Sequence, residues 1–439
     1  MITELTQDAR EQTAHELNLY GNALRAARKF AAAVSAYKRA REIAPGDSVI
    51  WSNLGATYWS MGRYEDAKAH LIRALRLDPS NQQALINFGT VLSALRRYEE
   101  ADAVFGAALK ANPDLHVAKL YRGFSRLDRG DWEHGLEDYE ARRAARGVEG
   151  YQPLPMPYWN GEDLNGKTLF IQTEQGIGDT VLFSRFIPLV KARWPDSTIK
   201  LCTSLELTNL LYDFRDIVEF LPATVPWESL GTLDYGVFLG SLPYLLGIRV
   251  DTLPPDPLRI RSRVQQQHRL APFNLPEPAM KDAFRVGICW SGNPHQDRNH
   301  DRSIPLELLL PLAENPNVMI YSLQVGPGAS ALAATGAQGL ICDLQEDLTF
   351  HGLVGAGNAL LGLDLVITVC TSVAHLAGAV GVPVWTMLSH DPYWVWTREG
   401  TKTPWYPTMK LFRQPEAGDW ASVTDEVGTE LTALVNARI

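Results

Sequence analysis

The sequence predicts an α-helical solenoid over residues 1–150, followed by an α/β region of two doubly wound, Rossmann-like domains at 160–275 and 276–439. Three observations lead to that expectation. Gly21, Gly55, Gly89 and Gly123 recur at an interval of 34 residues without a slip, and a fixed period of this kind marks stacked helix pairs. Beyond residue 166, short apolar β-rich runs alternate with helix-length segments, as in parallel sheets covered by helices. Proline-rich stretches at 151–166 and 251–278 divide the chain where these patterns change.

Composition bounds the rest. A chain of 439 residues exceeds one ordinary core, and 46% hydrophobic with 21% charged residues is globular rather than disordered or fibrous. A formal charge of -9 argues against a partner that is duplex nucleic acid. The opening "MITELTQDAR" has no basic region followed by an apolar core, so no secretory leader is expected. Residues 358–385 are the most apolar long stretch, but Asp364, His375 and several glycines interrupt them; they read as a buried strand, helix and strand rather than a membrane span. Cys202, Cys289, Cys342 and Cys370 are widely spaced without CxxC pairs, which suits a reducing cytoplasm. His295 and His300 lie in a loop without a second ligand pair, so no metal site is expected.

Within the first region other positions keep the glycine step. Ala33, Ala67 and Ala101 mark small sites; Tyr37, Leu71, Phe105 and Tyr139 mark large ones; Ala40, Ala74 and Ala108 follow; Pro45, Pro79 and Pro113 end each unit. The clearest copy, "WSNLGATYWSMGRYEDAKAHLIRALRLDP" at 51–79, resembles the tetratricopeptide repeat, and the resemblance covers roughly residues 13–149. Gly55 and Ala67 are expected to let the two helices of a unit approach, with Tyr58 and Leu71 in the seam and Pro79 stopping the second helix. The fourth unit departs from the pattern, with Lys119 and Arg142 at apolar sites and Gly135 at an alanine site, and is expected to form the junction to the next domain. Asn53 and Asn87 share a first-helix position that lines the concave surface in such arrays. Their amides either meet an extended peptide backbone or bond within the array. A groove for a protein or peptide partner is expected there.

In the α/β region, runs at 168–174, 198–204 and 235–241 read as strands of one sheet, and runs at 284–292, 318–326, 365–370 and 382–388 as strands of a second. A long polar helix or arm is expected between them, after "DTLPPDPLRI" and before "APFNLPEP". The terminal run "WASVTDEVGTELTALVNAR" has helical periodicity and is expected to pack back across the pair. Tandem alternations imply two sheets facing across a cleft, with ligand at the carboxyl ends of strands.

The turn "TEQGIGD" follows the first of these strands. It is not a dinucleotide fingerprint, because Val181 stands where a third glycine belongs and Asp179 opens the helix where phosphate would meet a carboxylate. In the second sheet, "WSGNPHQDRNHDRS" and "CTSVAH" are the corresponding turns. The strand–GxGD–helix unit together with "VITVCTSVAHLAGAVGVPVW" resembles glycosyltransferases of the bacterial heptosyltransferase type. It also resembles repeat-bearing bacterial proteins in which that GT-B pair follows a tetratricopeptide array, an architecture similar in outline to protein O-GlcNAc transferases. "TPWYPTMKLFRQ" at 403–414 fits the repeat-bearing group.

The resemblance implies that Asp179 faces the acceptor as general base; the other reading is that it caps its helix. Glu174 and Gln175 are also in reach of the cleft. Gly176 and Gly178 are expected to permit close backbone approach and φ values barred to other residues. A nucleotide-diphosphate sugar is expected on the second sheet. Thr371, Ser372 and Val373 lie at a helix N-terminus that suits a diphosphate, His375 stands one turn in, and Ser291, Gly292 and Asn293 form a second turn. Arg298 or Arg302 is expected to neutralise phosphate charge. The other readings are a buried helix histidine and solvated loop arginines. Cys370 departs from the family pattern, which carries Asp there, and a thiol holds no fixed negative charge.

The expected function is that of a cytoplasmic, metal-independent GT-B glycosyltransferase without further cofactor, moving sugar to a protein hydroxyl recruited by the array. The alternatives are a non-catalytic scaffold with a degenerate sugar-nucleotide site, favoured by Cys370, and a transferase acting on a surface polysaccharide or lipid-linked glycan.

Overall fold

The computed structural model describes residues 7–145, 153–224, 226, 229–254, 275–277, 280, 282–296 and 298–438. It divides into two compact units, Met1–Val148 and Glu149–Ile439.

The first unit is a run of antiparallel helix pairs: α1 (Gln7–Ala26) with α2 (Phe30–Ile43), α3 (Ser48–Ser60) with α4 (Tyr64–Leu77), α5 (Gln82–Ala94) with α6 (Tyr98–Ala111), and α7 (His116–Asp128) with α8 (Trp132–Tyr139). The periodic glycines sit where each pair crosses. A β-carbon at Gly21 would stand 2.5 Å from the Tyr37 ring, at Gly55 2.5 Å from Leu71, and at Gly89 2.6 Å from the Phe105 ring. A large residue of the second helix therefore fills the space that the glycine of the first leaves open, and Ala33, Ala67 and Ala101 are fully buried beside it. Helix starts recur too: Asp47 accepts from the Val49 N–H and Asn81 from the Ala84 N–H.

The equivalent of those caps in the fourth repeat is Leu115, which has no capping side chain. Charge takes over part of the packing there. Buried Asp138 accepts from Arg122 Nε at 2.6 Å and Arg126 Nη1 at 2.8 Å, and Lys119 reaches it at 4.0 Å. Arg142 is buried against the Tyr139 ring, 4.4 Å from its centroid, and bonds Glu140. The Gly135 site is filled by Leu127, 2.8 Å from where a β-carbon would lie.

The second unit contains two parallel sheets. The four-stranded sheet has the order β3 (Glu219–Pro222), β2 (Thr198–Thr203), β1 (Thr168–Gln172), β4 (Tyr235–Phe238). The six-stranded sheet has the order β10 (Met409–Arg413), β9 (Val384–Leu388), β8 (Leu365–Val369), β5 (Phe284–Cys289), β6 (Val318–Ser322), β7 (Ile341–Asp343). Strand order reverses beside β1 in the first sheet and between β5 and β8 in the second. In open α/β sheets these reversals leave a crevice beyond the carboxyl ends of the strands.

The core of the larger sheet joins Val286, Ile288, Ile367, Val369 and Met387 to Val423, Val427 and Leu431 of the Trp420–Asn436 helix. That terminal helix thus finds its apolar partners on the second sheet. The polar arm expected after "DTLPPDPLRI" lies outside the described residues.

Candidate functional site

The turn after β1 is built by hydrogen bonds back into its own sheet. Glu174 is buried, and its Oε1 accepts from the Gly240 N–H at 3.0 Å, tying the turn to the end of β4. Gln175 takes the left-handed conformation at φ 61, whereas Gly176 is extended at φ -89. The unusual φ expected of the glycines therefore falls on Gln175, a side chain that pays about 1–3 kcal/mol of strain for it. Gly178 does provide close approach: a β-carbon there would lie 2.8 Å from Cδ2 of His375 and 3.4 Å from Cα of Ser372. The Ile177–Phe183 helix thereby meets the Ser372–Val380 helix, so the turns that follow β1 and β8 lie against each other.

Asp179 accepts from the Gly176 N–H at 3.2 Å. This bond closes the first helical turn, so a capping role is present in the geometry. Its carboxyl pKa is pushed up to about 6, first by burial and further by the Glu174 charge, against the Gly176 bond and Arg302. A carboxylate of that pKa takes and gives a proton near neutrality.

Across from it, β8 leads through Cys370 and Thr371 into the Ser372–Val380 helix. The Thr371 hydroxyl turns inward, 3.2 Å from Thr368 Oγ1 and 3.9 Å from Cys289 Sγ. No side chain caps this helix, and Ser372 and Val373 at its start are part-exposed. His375 is buried, stacks on Trp396 with centroids 4.7 Å apart, and places Nδ1 3.0 Å from the Tyr406 hydroxyl. Burial, then the Arg185 and Arg302 charges, push its pKa down to about 3, so the imidazole is neutral. Cys370 Sγ accepts from Trp396 Nε1 at 2.8 Å, and burial raises its thiol pKa.

In the turn after β5, the Ser291 and Trp290 N–H groups donate to Oε1 of buried Gln324 at 2.9 and 3.2 Å. Gly292 makes room for Asn299, whose Oδ1 would lie 2.6 Å from a β-carbon. Asn293 is exposed and accepts from the His295 N–H. The two arginines behave differently. Arg302 donates to the Cys370 carbonyl at 2.9 Å and to Asn299 Oδ1 at 3.2 Å, clamping the β5 and β8 turns together. Arg298 is paired with Asp301 at 2.9 Å and with buried Asp391 at 2.7 Å, and Asp391 also binds Arg398. Burial works to raise the Asp391 pKa, but Arg298 and Arg398 outweigh it and hold it at about 2.

Sequence reasoning missed Tyr406, Trp396, Arg185, Gln324 and Asp391. The cluster "TPWYP" was the one signal for Tyr406, and it marks no function by spacing alone. Among the described residues no three His, Cys, Asp or Glu side chains converge where a metal ion would fit, and no helix is long and apolar enough to cross a membrane.

The array carries a separate pocket of about 110 Å³ on α3, α5 and α7, lined by Trp59, Gln83, Ile86, Asn87, Val117 and Tyr121 among others. Asn87 belongs to it, with Nδ2 on Ser52 at 3.2 Å and Oδ1 accepting from Gln83 at 3.0 Å. Asn53 is buried and donates to Asn18 Oδ1 at 2.9 Å, so it bonds within the array.

The tetratricopeptide repeat family matches residues 24–74 and 58–122, and the first unit is an array of these repeats. Protein FlbA of Caulobacter vibrioides is 27% identical over 489 aligned positions, covering 96% of this chain and 73% of that protein. The Arabidopsis OM64 TPR domain is 25% identical with a TM-score of 0.26, over 27% of this chain and 97% of its own. The first TPR of Spaghetti (RPAP3), bound to an HSP90 peptide, is 23% identical with a TM-score of 0.25, over 26% of this chain and 89% of its own.

Proposed function

We propose that the second unit is a metal-independent GT-B glycosyltransferase and that the repeat array recruits its protein acceptor. The observation that supports this most is the meeting of the turns that follow β1 and β8 at Gly178 and His375, with Asp179 beside them. Asp179 would take the proton of an acceptor hydroxyl as its oxygen attacks the anomeric carbon. The nucleotide diphosphate would leave with the electron pair of the broken C–O bond, stabilised at the N-terminus of the Ser372–Val380 helix. Arg302 holds the two donor-side turns in register for that step. The array pocket adds neutral amides and aromatic faces suited to a polypeptide.

A second reading has its own support. Cys370 Sγ is taken up in accepting from Trp396 Nε1, and Arg298 is already neutralised by two carboxylates. Both suit a protein that binds a sugar nucleotide without turning it over, with the array as scaffold. The experiment that separates them incubates the purified chain, in chelator, with a panel of sugar nucleotides and with lysate proteins. Release of nucleotide diphosphate that requires lysate protein, with sugar appearing on it, supports the transferase. Binding without release supports the scaffold, and neither binding nor release overturns both.

A further inference from the structure

Tyr406 lies fully buried against the Ser372–Val380 helix, in space that only a glycine leaves open. A β-carbon on Gly378 would stand 2.6 Å from the tyrosine ring. Gly378 follows His375 by three residues, so it lies on the same helical face one turn on. The ring seated there carries its hydroxyl to Nδ1 of His375 at 3.0 Å. Arg185 closes the other side. Its Nε and Nη1 donate to the Leu182 and Trp405 carbonyls at 2.9 Å each, which aims the guanidinium over the Tyr406 ring, 5.0 Å from the centroid.

We propose that Tyr406 is a positioning residue which, oriented by Arg185, donates its O–H to Nδ1 of His375 and so fixes the imidazole as the neutral tautomer with its proton on Nε2. The direction follows from charge. A guanidinium draws the phenol lone pairs and repels its proton, which turns toward Nδ1. The phenol pKa, raised by burial to about 12 against the effect of Arg185, keeps that proton in place. A neutral imidazole has one N–H; with Nδ1 accepting, it is Nε2–H. Nε2 is bonded to Cδ2, the atom that faces Gly178. His375 thus offers a fixed hydrogen-bond donor at the crevice, suited to an anionic oxygen such as that of a phosphate, and does not act as a proton acceptor. Only the identity of that oxygen rests on the transferase reading.

The test is nitrogen NMR of the full-length chain labelled in histidine, with the His375 signals assigned by their loss in His375→Gln. The expected spectrum shows a protonated Nε2 and a bare, hydrogen-bonded Nδ1, unchanged between pH 5 and 8. In Tyr406→Phe, which keeps the ring, the Nδ1 signal should move to the position of an unbonded nitrogen; Gly378→Ala, which displaces the ring, should move it the same way. A proton on Nδ1 in the parent protein, or an Nδ1 signal that Tyr406→Phe leaves in place, overturns the proposal. Failure to find any transferase activity would leave these signals as they are, so the two readings fail separately.

Discussion

Gly178 and His375 interlock: the glycine of the β1 turn leaves the space that the Cδ2 edge of the histidine occupies, 2.8 Å from where a β-carbon would sit. Neither side is free to move. The imidazole is stacked on Trp396 and held at Nδ1 by Tyr406, and the glycine lies within a helix whose end is anchored by Arg185.

Replacing Gly178 with alanine should therefore destabilise the second unit by about 1–3 kcal/mol, the usual cost of overpacking a site that cannot relax. Chemical denaturation followed by tryptophan fluorescence measures it. A neutral outcome would mean that the two helices are further apart in solution than this packing requires.

Asp391 should be a stability determinant with a definite pH signature. Its pKa is held at about 2 against the ordinary 3.8 of a free aspartate, so its contribution is present above pH 4 and is lost as pH falls through 2. Asp391→Asn leaves two arginines without their shared carboxylate. Breaking a fully buried pair costs about 3–5 kcal/mol. Because the Arg298 side chain is 38% accessible, about 2 kcal/mol is expected near pH 7. Melting curves of both proteins should converge toward pH 2; a gap that persists there would assign the loss to packing.

The sequence shows local periodicity well and long-range pairing poorly. The glycine step exposed the repeat seam because Gly21, Gly55 and Gly89 each face the same kind of partner in the next helix. The central strands were legible as apolar runs since β8 and β9 are buried along their whole length. β3, β7 and β10 do not read as strands: all three are sheet edges, β3 and β7 are short, and Lys410 and Arg413 interrupt the apolar pattern of β10. Asp179 stood out beside two glycines. Tyr406 and Arg185 did not, because their roles depend on contacts with His375 and Trp405, 31 and 220 residues away in the chain.

Two glycines of the array should respond in opposite directions. A β-carbon on Gly123 would stand 2.9 Å from the backbone nitrogen of Tyr139, which cannot yield without separating α7 from α8. Gly106, inside α6, has nothing within 4 Å. Gly123→Ala should cost about 1–3 kcal/mol by overpacking, while Gly106→Ala should gain about 0.5–1 kcal/mol from helix propensity. Circular dichroism melts of the full chain read both. Equal effects would show that the glycine seam is not what limits the array.

Asp179 is where stability and chemistry make separable demands. A carboxyl whose folded pKa is about 6, against the ordinary 3.8 of a free aspartate, binds its proton more tightly folded than unfolded. Its stabilising contribution is then complete below about pH 4 and is lost as pH rises through 6. Asp179→Asn carries no charge and keeps an oxygen for the Gly176 N–H. Its melting temperature should match the parent near pH 4 and exceed it increasingly from pH 4 to 7. If Asp179 is also the general base, the same variant should lose about 10²- to 10⁴-fold in transfer with donor affinity little changed, and the parent's rate should fall as pH drops below 6. A stabilised, donor-binding, inactive Asn variant would show that the cleft tolerates an unfavourable carboxylate for the sake of proton transfer. A stabilised variant with full turnover would leave Asp179 as a cap alone and shift the search for the base to Glu174.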